Sequence, residues 1–481
     1  MRILNRAEEL DELSRDSGIT EIKPAAAYAA ATEAEILEVV RVAKARRLPL
    51  TPRGSGTGIP SQAVGRGIIL LQDRRVANFL GKESVVCEPA LPKGELNRVL
   101  DASGRWLPVD PSSYATCSVG GMVANNSSGS RSYKYRSTID YVEELRVVLP
   151  EEGLVEIKPM PINQALAERG IVGRVARLLS DNEDSVLKDV ASVTKNSSGY
   201  RLERVIHDGL LDLPRLFVGS EGTLGIVTSI KFRTRQKPRM KVLLIFETSL
   251  KELDRLVAAL RVYGPSAIEL LDKAIFEQTG RGDRIRTISR TREPYVVFSE
   301  FDSDSETLDS LERVAADPVL AGYEPITLLD PGDVARAWEV RNETLTIAAD
   351  MKKGSRAPVP GVEDLVVPPM RLGDLIKLQV EAFGRRGLDY ISYGHAGDAN
   401  LHMRPLLDSH SASDMRILQE IMAESFEAVW KMGGSITGEH GDGMLRAPFV
   451  KRQYPHSYEV MREVKSTFDP KGILNPGVKI V

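Results

Sequence analysis

Two cysteines, Cys87 and Cys117, are too few for a disulfide framework or an iron–sulfur cluster, which takes four thiolates. Electrons from any redox reaction in this chain must therefore leave through a partner or a diffusible acceptor. No stretch approaches the roughly 18 consecutive apolar residues of a bilayer span. The segment from Met1 to Gly18 lacks the apolar run and small-residue cleavage site of a secretory signal. These absences point to the cytoplasm, with any membrane association peripheral and through a partner. Neither charge sign dominates: 64 basic against 67 acidic residues leave a formal net charge of −3. That balance lacks the basic footprint of nucleic-acid binding. Histidine is scarce, at six residues, so the places where it gathers carry information. Hydrophobic residues are ample at 42% of 481 positions, enough to build more than one core.

From about Pro24 the chain alternates short strands and helices. Ala34 to Arg47 has the apolar spacing of an amphipathic helix, followed by the strand LPLTP, the run RGSGTGIPSQAV and the strand GIILLQ. Such alternation argues for α/β or α+β. A glycine-rich patch, Val218 to Thr228, runs into a strand, SIKFRT. Beyond the basic stretch Arg235 to Met240 the character changes. KVLLIFET, YVVFSEF and DYISYGH read as strands, LKELDRLVAALRVYG and MRLGDLIKLQVEAFGRRG as helices. A domain boundary near Lys237 follows, and the second domain is expected as an antiparallel sheet with helices on one face. The closing STFDPKGILNPGVKIV is turn-rich and apolar, as suits a segment docked on another surface.

Pro52-Arg53-Gly54-Ser55-Gly56-Thr57-Gly58 follows a strand. Alternating glycines admit left-handed backbone, so successive N–H groups can converge on an anion. Ser55 and Thr57 add hydroxyls, and Arg53 offers positive charge nearby. The loop is neither a Walker loop nor a G-x-G-x-x-G fingerprint, and alone it equally describes a tight turn. Two further runs of small residues, Ser118 to Gly129 and Gly219 to Val227, permit close approach of a large planar ligand. Two histidines, His395 and His402, bracket the turn in GHAGDANLH, and Glu439-His440 lies in TGEHGDG. Imidazoles and a carboxylate suit a divalent metal such as zinc or manganese, with a position open to substrate.

PRGSGTG, DPSSYATCSVGGMVANNSSGSRSYKY, GSEGTLGIVT and FDPKGILNPG together resemble the FAD domain of the vanillyl-alcohol oxidase / para-cresol methylhydroxylase superfamily. The similarity runs from about Pro24 to the end. Within the superfamily the chain is most similar to the group of glycolate oxidase flavin subunits, D-lactate dehydrogenases and D-2-hydroxyglutarate dehydrogenases. The resemblance implies an α+β fold: a two-subdomain FAD domain over 1–236, an antiparallel-sheet substrate domain over 237–440, and a segment, 441–481, returning to the flavin. It implies that Pro52 and residues 53–58 hold the pyrophosphate. Pro111, Gly120, Gly121, Ala124, Asn126, Gly129, Glu221 and Gly222 would line the flavin, with Ile226 on the adenine side and Asn475 near the isoalloxazine. With no histidine before His207, FAD is expected to be held non-covalently.

The same resemblance makes His395, His402 and Glu439 metal ligands, His440 the general base and Arg341 the substrate arginine. The implied reaction is oxidation of a D-2-hydroxy acid. The acceptor would be an iron–sulfur subunit, an electron-transfer flavoprotein or a quinone. Two departures bear on the substrate. Arg404 stands where the 2-hydroxyglutarate enzymes carry Asn, and MKKGSRAPVPGVEDLVVPP looks closer to flavin domains fused to iron–sulfur domains. Arg404 and Lys352 or Lys353 are thus candidates for a second carboxylate, or for ion pairs with Glu363 and Asp364. Competing expectations are a non-redox flavoprotein like alkyl-dihydroxyacetone-phosphate synthase, and a flavin subunit serving a larger complex.

Overall fold

The computed structural model describes residues 1–81, 83–303 and 306–481. Near the N-terminus, Ala26–Ala30, Ile68–Gln72 and Leu50–Pro52 form parallel pairs, edged by the antiparallel strand Arg2–Leu4. Their crossover is the helix Glu33–Arg46, which starts where the Thr32 hydroxyl accepts from the Glu35 amide and stops at left-handed Arg47. Ile36, Val39, Val40 and Ala43 face inward at helical spacing and pack on Ile68 and Leu70.

A second, five-stranded antiparallel sheet follows the spatial order Ala77–Phe79, Ser84–Cys87, Ile226–Arg233, Val142–Leu149, Gly153–Ile157. Its central strand, Ile226–Arg233, comes from far along the chain. That insertion carries the patch Gly219–Gly225 to the glycine loop: a Cβ on Gly222 would lie 3.2 Å from the Pro52 ring.

The remainder is built on an eight-stranded sheet whose named pairings are all antiparallel. In Met240–Thr248, Val242, Leu244 and Phe246 enter one core with the helices Leu250–Arg261, Leu372–Gly384 and Ala412–Lys431. Leu243 and Ile245 enter another beneath the helix Pro331–Asp350. Helices thus cover both faces, whereas the sequence reading expected one. The unbroken apolar run VLLIF is the trace of a strand buried on both sides. The last residues return to the first sheet: the Leu50 amide donates to Ile473 O at 2.7 Å and the Asn475 amide to Leu50 O at 2.9 Å. Among the described residues no helix is long and apolar enough to cross a membrane.

Candidate active site

Leu50–Pro52 delivers the chain into the loop Arg53–Gly58, where Gly56 turns at φ +72°, a region that favours glycine. Arg53 points away from the loop's mouth. Its guanidinium donates to the carbonyls of Arg15, Ala63 and Leu13 at 2.8, 2.9 and 3.3 Å and so ties the N-terminal segment down. Facing the loop is the helix Val119–Asn125, capped by Ser118, whose hydroxyl accepts from the Gly121 amide at 3.2 Å. A Cβ on Gly54 would stand 2.4 Å from Ser118 Oγ, and one on Gly120 would stand 2.5 Å from Pro89 Cβ. Missing side chains therefore set the width of the gap.

Two cavities share Gly54, Ser55, Ser118, Gly121 and Ala124 and run end to end along this wall. The outer one is lined by Pro52, Arg53, Gly120, Gly222 and Val227; the inner one by Gly56, Thr57, Gly58, Pro111, Glu221 and, at its far end, Glu439 and His440. Asn126, Ile226 and Asn475 stand behind the wall rather than in it. Asn126 accepts from the Ile139 amide at 3.0 Å, and Ile226 is buried beside Val148. Asn475 donates to the carbonyls of Gln62 and Glu221 at 2.9 and 2.8 Å and accepts from the Thr51 hydroxyl at 3.0 Å. The Glu221 carboxylate accepts the amides of Asp442 and Gly443 at 2.8 and 2.7 Å, which fastens the histidine turn to the cradle.

In the hairpin Tyr390–His395/Asn400–Leu407, Tyr393 pairs with His402. Alternate residues share a face, so His395, His402 and Arg404 project from one side of the sheet. Glu439 and His440 are held against them by Asp364, whose carboxylate accepts their amides at 3.1 and 2.9 Å. The Nε2 atoms of His395, His402 and His440 lie 3.1, 3.3 and 3.8 Å from the same oxygen, Glu439 Oε1. Their Nδ1 atoms face carboxylates. Glu269 lies 2.7 Å from His395, and Glu363 lies 3.4 Å from His402 and 2.8 Å from His440, the last out of line for a hydrogen bond. Carboxylates behind the imidazoles fix ring orientation.

Burial works to lower the pKa of His395, but Glu269 outweighs it and holds the imidazole at about 9. Burial likewise opposes ionisation of Glu439, yet the Lys195 ammonium, 3.0 Å from its Oε2, and His395 hold it well below the usual carboxylate range. Donor atoms of Asp364, His402, Glu439 and His440 lie within 4.8 Å of one another. Asp364 is scaffolding, because Asn400 and the amides of Glu439 and His440 occupy its oxygens. His395, through its Nε2, completes the converging set instead. Imidazole nitrogens and a carboxylate oxygen aimed at one point fit a divalent metal.

The cluster forms part of the wall of a cavity of about 710 Å³ between the two domains. Glu439 and His440 border both this cleft and the inner flavin cavity. Arg341 and Arg404 line the cleft, as does Gly129 from the first domain. Arg341 donates from Nε and Nη2 to Glu269 at 2.9 and 2.6 Å, so one carboxylate braces both the arginine and His395. Lys352 is exposed and does not line the cleft, and Lys353 pairs with Asp389 at 2.6 Å. The motifs left two residues unnamed: Glu269 behind His395, and Lys195 on Glu439. No local pattern marks them. Glu363 and Asp364, considered only as partners for cations, support the histidine turn, and Glu363 also pairs with Arg446 at 2.9 Å.

A model of the FAD-linked oxidase C-terminal domain matches residues 236–478, and one of the FAD binding domain matches 24–158. The chain belongs to the FAD-linked oxidases. It is 28% identical over 469 residues to glycolate oxidase subunit GlcD of Bacillus subtilis, covering 94% of this chain and 88% of that one. Identity to a D-lactate dehydrogenase of Archaeoglobus fulgidus is also 28%, over 92% and 88% of the two chains. A D-2-hydroxyglutarate dehydrogenase of Escherichia coli is 26% identical over 97% of this chain but only 49% of its own length. The fold is shared with 4-ethylphenol oxidase of Gulosibacter chungangensis, at a TM-score of 0.70 and 15% identity over 100% and 94% of the chains. It is shared too with alkyldihydroxyacetonephosphate synthase, at 0.66 and 16% over 98% and 82%. The protein is thus an FAD-linked oxidoreductase of the glycolate, D-lactate and D-2-hydroxyglutarate dehydrogenase group.

Proposed function

We propose that this FAD-linked oxidoreductase converts a D-2-hydroxy acid to the 2-oxo acid and passes the electrons to a separate acceptor. The observation carrying this reading is the convergence of His395, His402 and His440 on Glu439 at the partition between flavin cradle and cleft. The cradle would hold FAD non-covalently, and the flavin would supply a hydride acceptor for the α-hydrogen. His395, His402 and Glu439 would hold a divalent metal, zinc or manganese, which supplies Lewis acidity toward the substrate hydroxyl.

The chain's own residues do the rest. His440 Nε2, facing the cluster, accepts the hydroxyl proton; burial works against the resulting charge, but Glu363 beside its Nδ1 outweighs it and raises the pKa. Arg341, braced on Glu269, and Arg404 present guanidinium groups to the substrate carboxylate. The loop Arg53–Gly58 and helix Val119–Asn125 position the cofactor, and Glu221 ties that wall to the histidine turn. The buried cysteines leave the chain without an iron–sulfur relay of its own. An iron–sulfur subunit, an electron-transfer flavoprotein or a quinone therefore takes the electrons, in the cytoplasm or at a membrane surface reached through that partner.

The test is anaerobic. A panel of D- and L-2-hydroxy acids is mixed with FAD-loaded protein, and bleaching of the flavin spectrum is followed. Bleaching by D-acids is expected. A flavin that stays oxidised with every acid would overturn the reading in favour of the non-redox chemistry or the purely associative subunit.

A further inference from the structure

Five cationic side chains line the cleft: Lys93, Arg131, Lys241, Arg341 and Arg404. Two are neutralised from within the fold. Arg131 is gripped by Asp110 and Glu300 at 2.7 and 2.6 Å, and Arg341 pairs with Glu269. Lys241 lies 3.7 Å from Glu300, makes no hydrogen bond to it, and is half-buried rather than enclosed. Arg404, on the histidine wall, has a buried Nε without a partner. Lys93, which lines the cleft from the first domain, is only 1% exposed, yet among the described residues its ammonium meets no carboxylate within 4 Å and no hydrogen-bond acceptor.

An ammonium buried without a counter-charge is costly, and its position adds to the cost. Lys93 opens the helix Lys93–Asp101, where the helix's own field is already positive. The amides of Lys93 and Gly94 are taken by the carbonyls of Cys117 and Tyr114, both at 2.9 Å. The side chain is therefore the free donor. Asp110, the nearby carboxylate that acts on it, is committed to Arg131. A cation so placed is satisfied by an anion entering the cleft.

We infer that Lys93 is the subsite for a second carboxylate, so that the substrate is a 2-hydroxy dicarboxylic acid. Its reacting end would lie at the histidine cluster with Arg404 and its far end at Lys93. The inference rests on the hydroxy-acid reading above and names its substrate class. A single ammonium without free backbone amides suits a carboxylate better than a phosphate, which draws several donors at once. Trp106, which also lines the cleft, offers an apolar surface to the connecting methylenes.

The experiment pairs acids of equal carbon chain in the FAD- and metal-loaded protein: D-2-hydroxyglutarate against D-2-hydroxypentanoate, and D-malate against D-2-hydroxybutanoate. Anaerobic flavin reduction should favour the diacid of one pair by about 100-fold in kcat/KM, mainly through KM. Lys93→Met should bring that ratio to within about fivefold of one, and Lys93→Arg should restore part of it. No preference for either diacid in the wild type, or a preference that survives Lys93→Met, overturns the inference while leaving hydroxy-acid oxidation standing. Reduction by none of the acids sinks the reaction instead. The subsite is then decided by glutarate, whose stabilisation against heat must appear in the wild type and vanish in Lys93→Met. Equal shifts, or no shift in the wild type, overturn it.

Discussion

The flavin cradle and the histidine cluster share a partition but are built by opposite means. The cradle is defined by what is left out: Gly54, Gly120 and Gly222 bring loop, helix and strand so close that a Cβ would touch a neighbour. The cluster is defined by what is put in, with Glu269, Glu363, Glu439, Lys195 and Arg446 crowded around three imidazoles. One is a matter of shape and the other of charge, so each should fail in its own way. Glu221, through its hold on the turn at Asp442 and Gly443, joins the two directly, as does Ser128, whose hydroxyl donates to Glu439 at 2.6 Å.

The largest effect is expected from the charge side. Replacing His395 by Ala, or stripping divalent metal with a chelator, should abolish flavin bleaching, a loss of at least about 1,000-fold, while FAD stays bound. Full activity after thorough metal removal would sink the metal assignment. Loss of FAD from His395→Ala would show that cradle and cluster are not separable. The shape side should break the other way. In Gly120→Val the added carbons meet Pro89, and overpacking of this kind typically costs about 1–3 kcal/mol. FAD affinity should fall by roughly 10- to 100-fold, with substrate reduction recovered when excess FAD is supplied. Stoichiometric FAD in the purified variant would contradict the close-approach argument.

A third effect is smaller and pH-dependent. Burial lowers the Lys93 pKa to about 8, with Asp110 and Cys117 the ionisable groups acting against that shift. The ammonium is the form that binds an anion. Preference for a diacid should therefore hold below pH 8 and decline as pH rises through it, in kcat/KM measured against the matched monoacid. A preference flat from pH 6 to 10 would separate Lys93 from the subsite.

What the sequence disclosed divides along the same line. The glycine loop, GHAGDANLH and TGEHGDG were legible because their chemistry is local: a turn needs glycine where it bends, and the histidines sit beside it. The helix Glu33–Arg46 was legible from its spacing within a residue at each end. Charge partners were not, since they come from distant segments. Glu269 is 126 residues from His395, and Lys195 is 244 from Glu439. Lys352 illustrates the converse: its sequence neighbourhood suggested a substrate contact, but there the chain leaves the helix Pro331–Asp350 for the surface. Arg53 lies within the motif, yet its guanidinium is spent on backbone carbonyls behind the loop. A motif locates a backbone more securely than it locates the end of a long side chain.

The smallest expected effect tests the charge half from outside the site. Glu363 and Glu439 are buried, and their cationic and imidazole partners hold them well below the usual carboxylate range despite burial. Asp272, buried at the end of the strand Ala267–Asp272, has the Ala274 amide at 2.9 Å but no cation among the described residues, and burial pushes it up to about 6. For an acid whose folded pKa is raised, the folded state binds the proton more tightly than the unfolded one. Stability therefore declines as pH rises from the ordinary aspartate value through 6 and stays lower above it. Asp272→Asn keeps an acceptor for Ala274 and removes the charge. It should stabilise the protein at pH 7 by on the order of 1 kcal/mol and have little effect at pH 4. Thermal unfolding at the two pH values reads this directly. Destabilisation at pH 7 would mean that Asp272 has a compensating cation and that burial without a partner does not set these carboxylates apart.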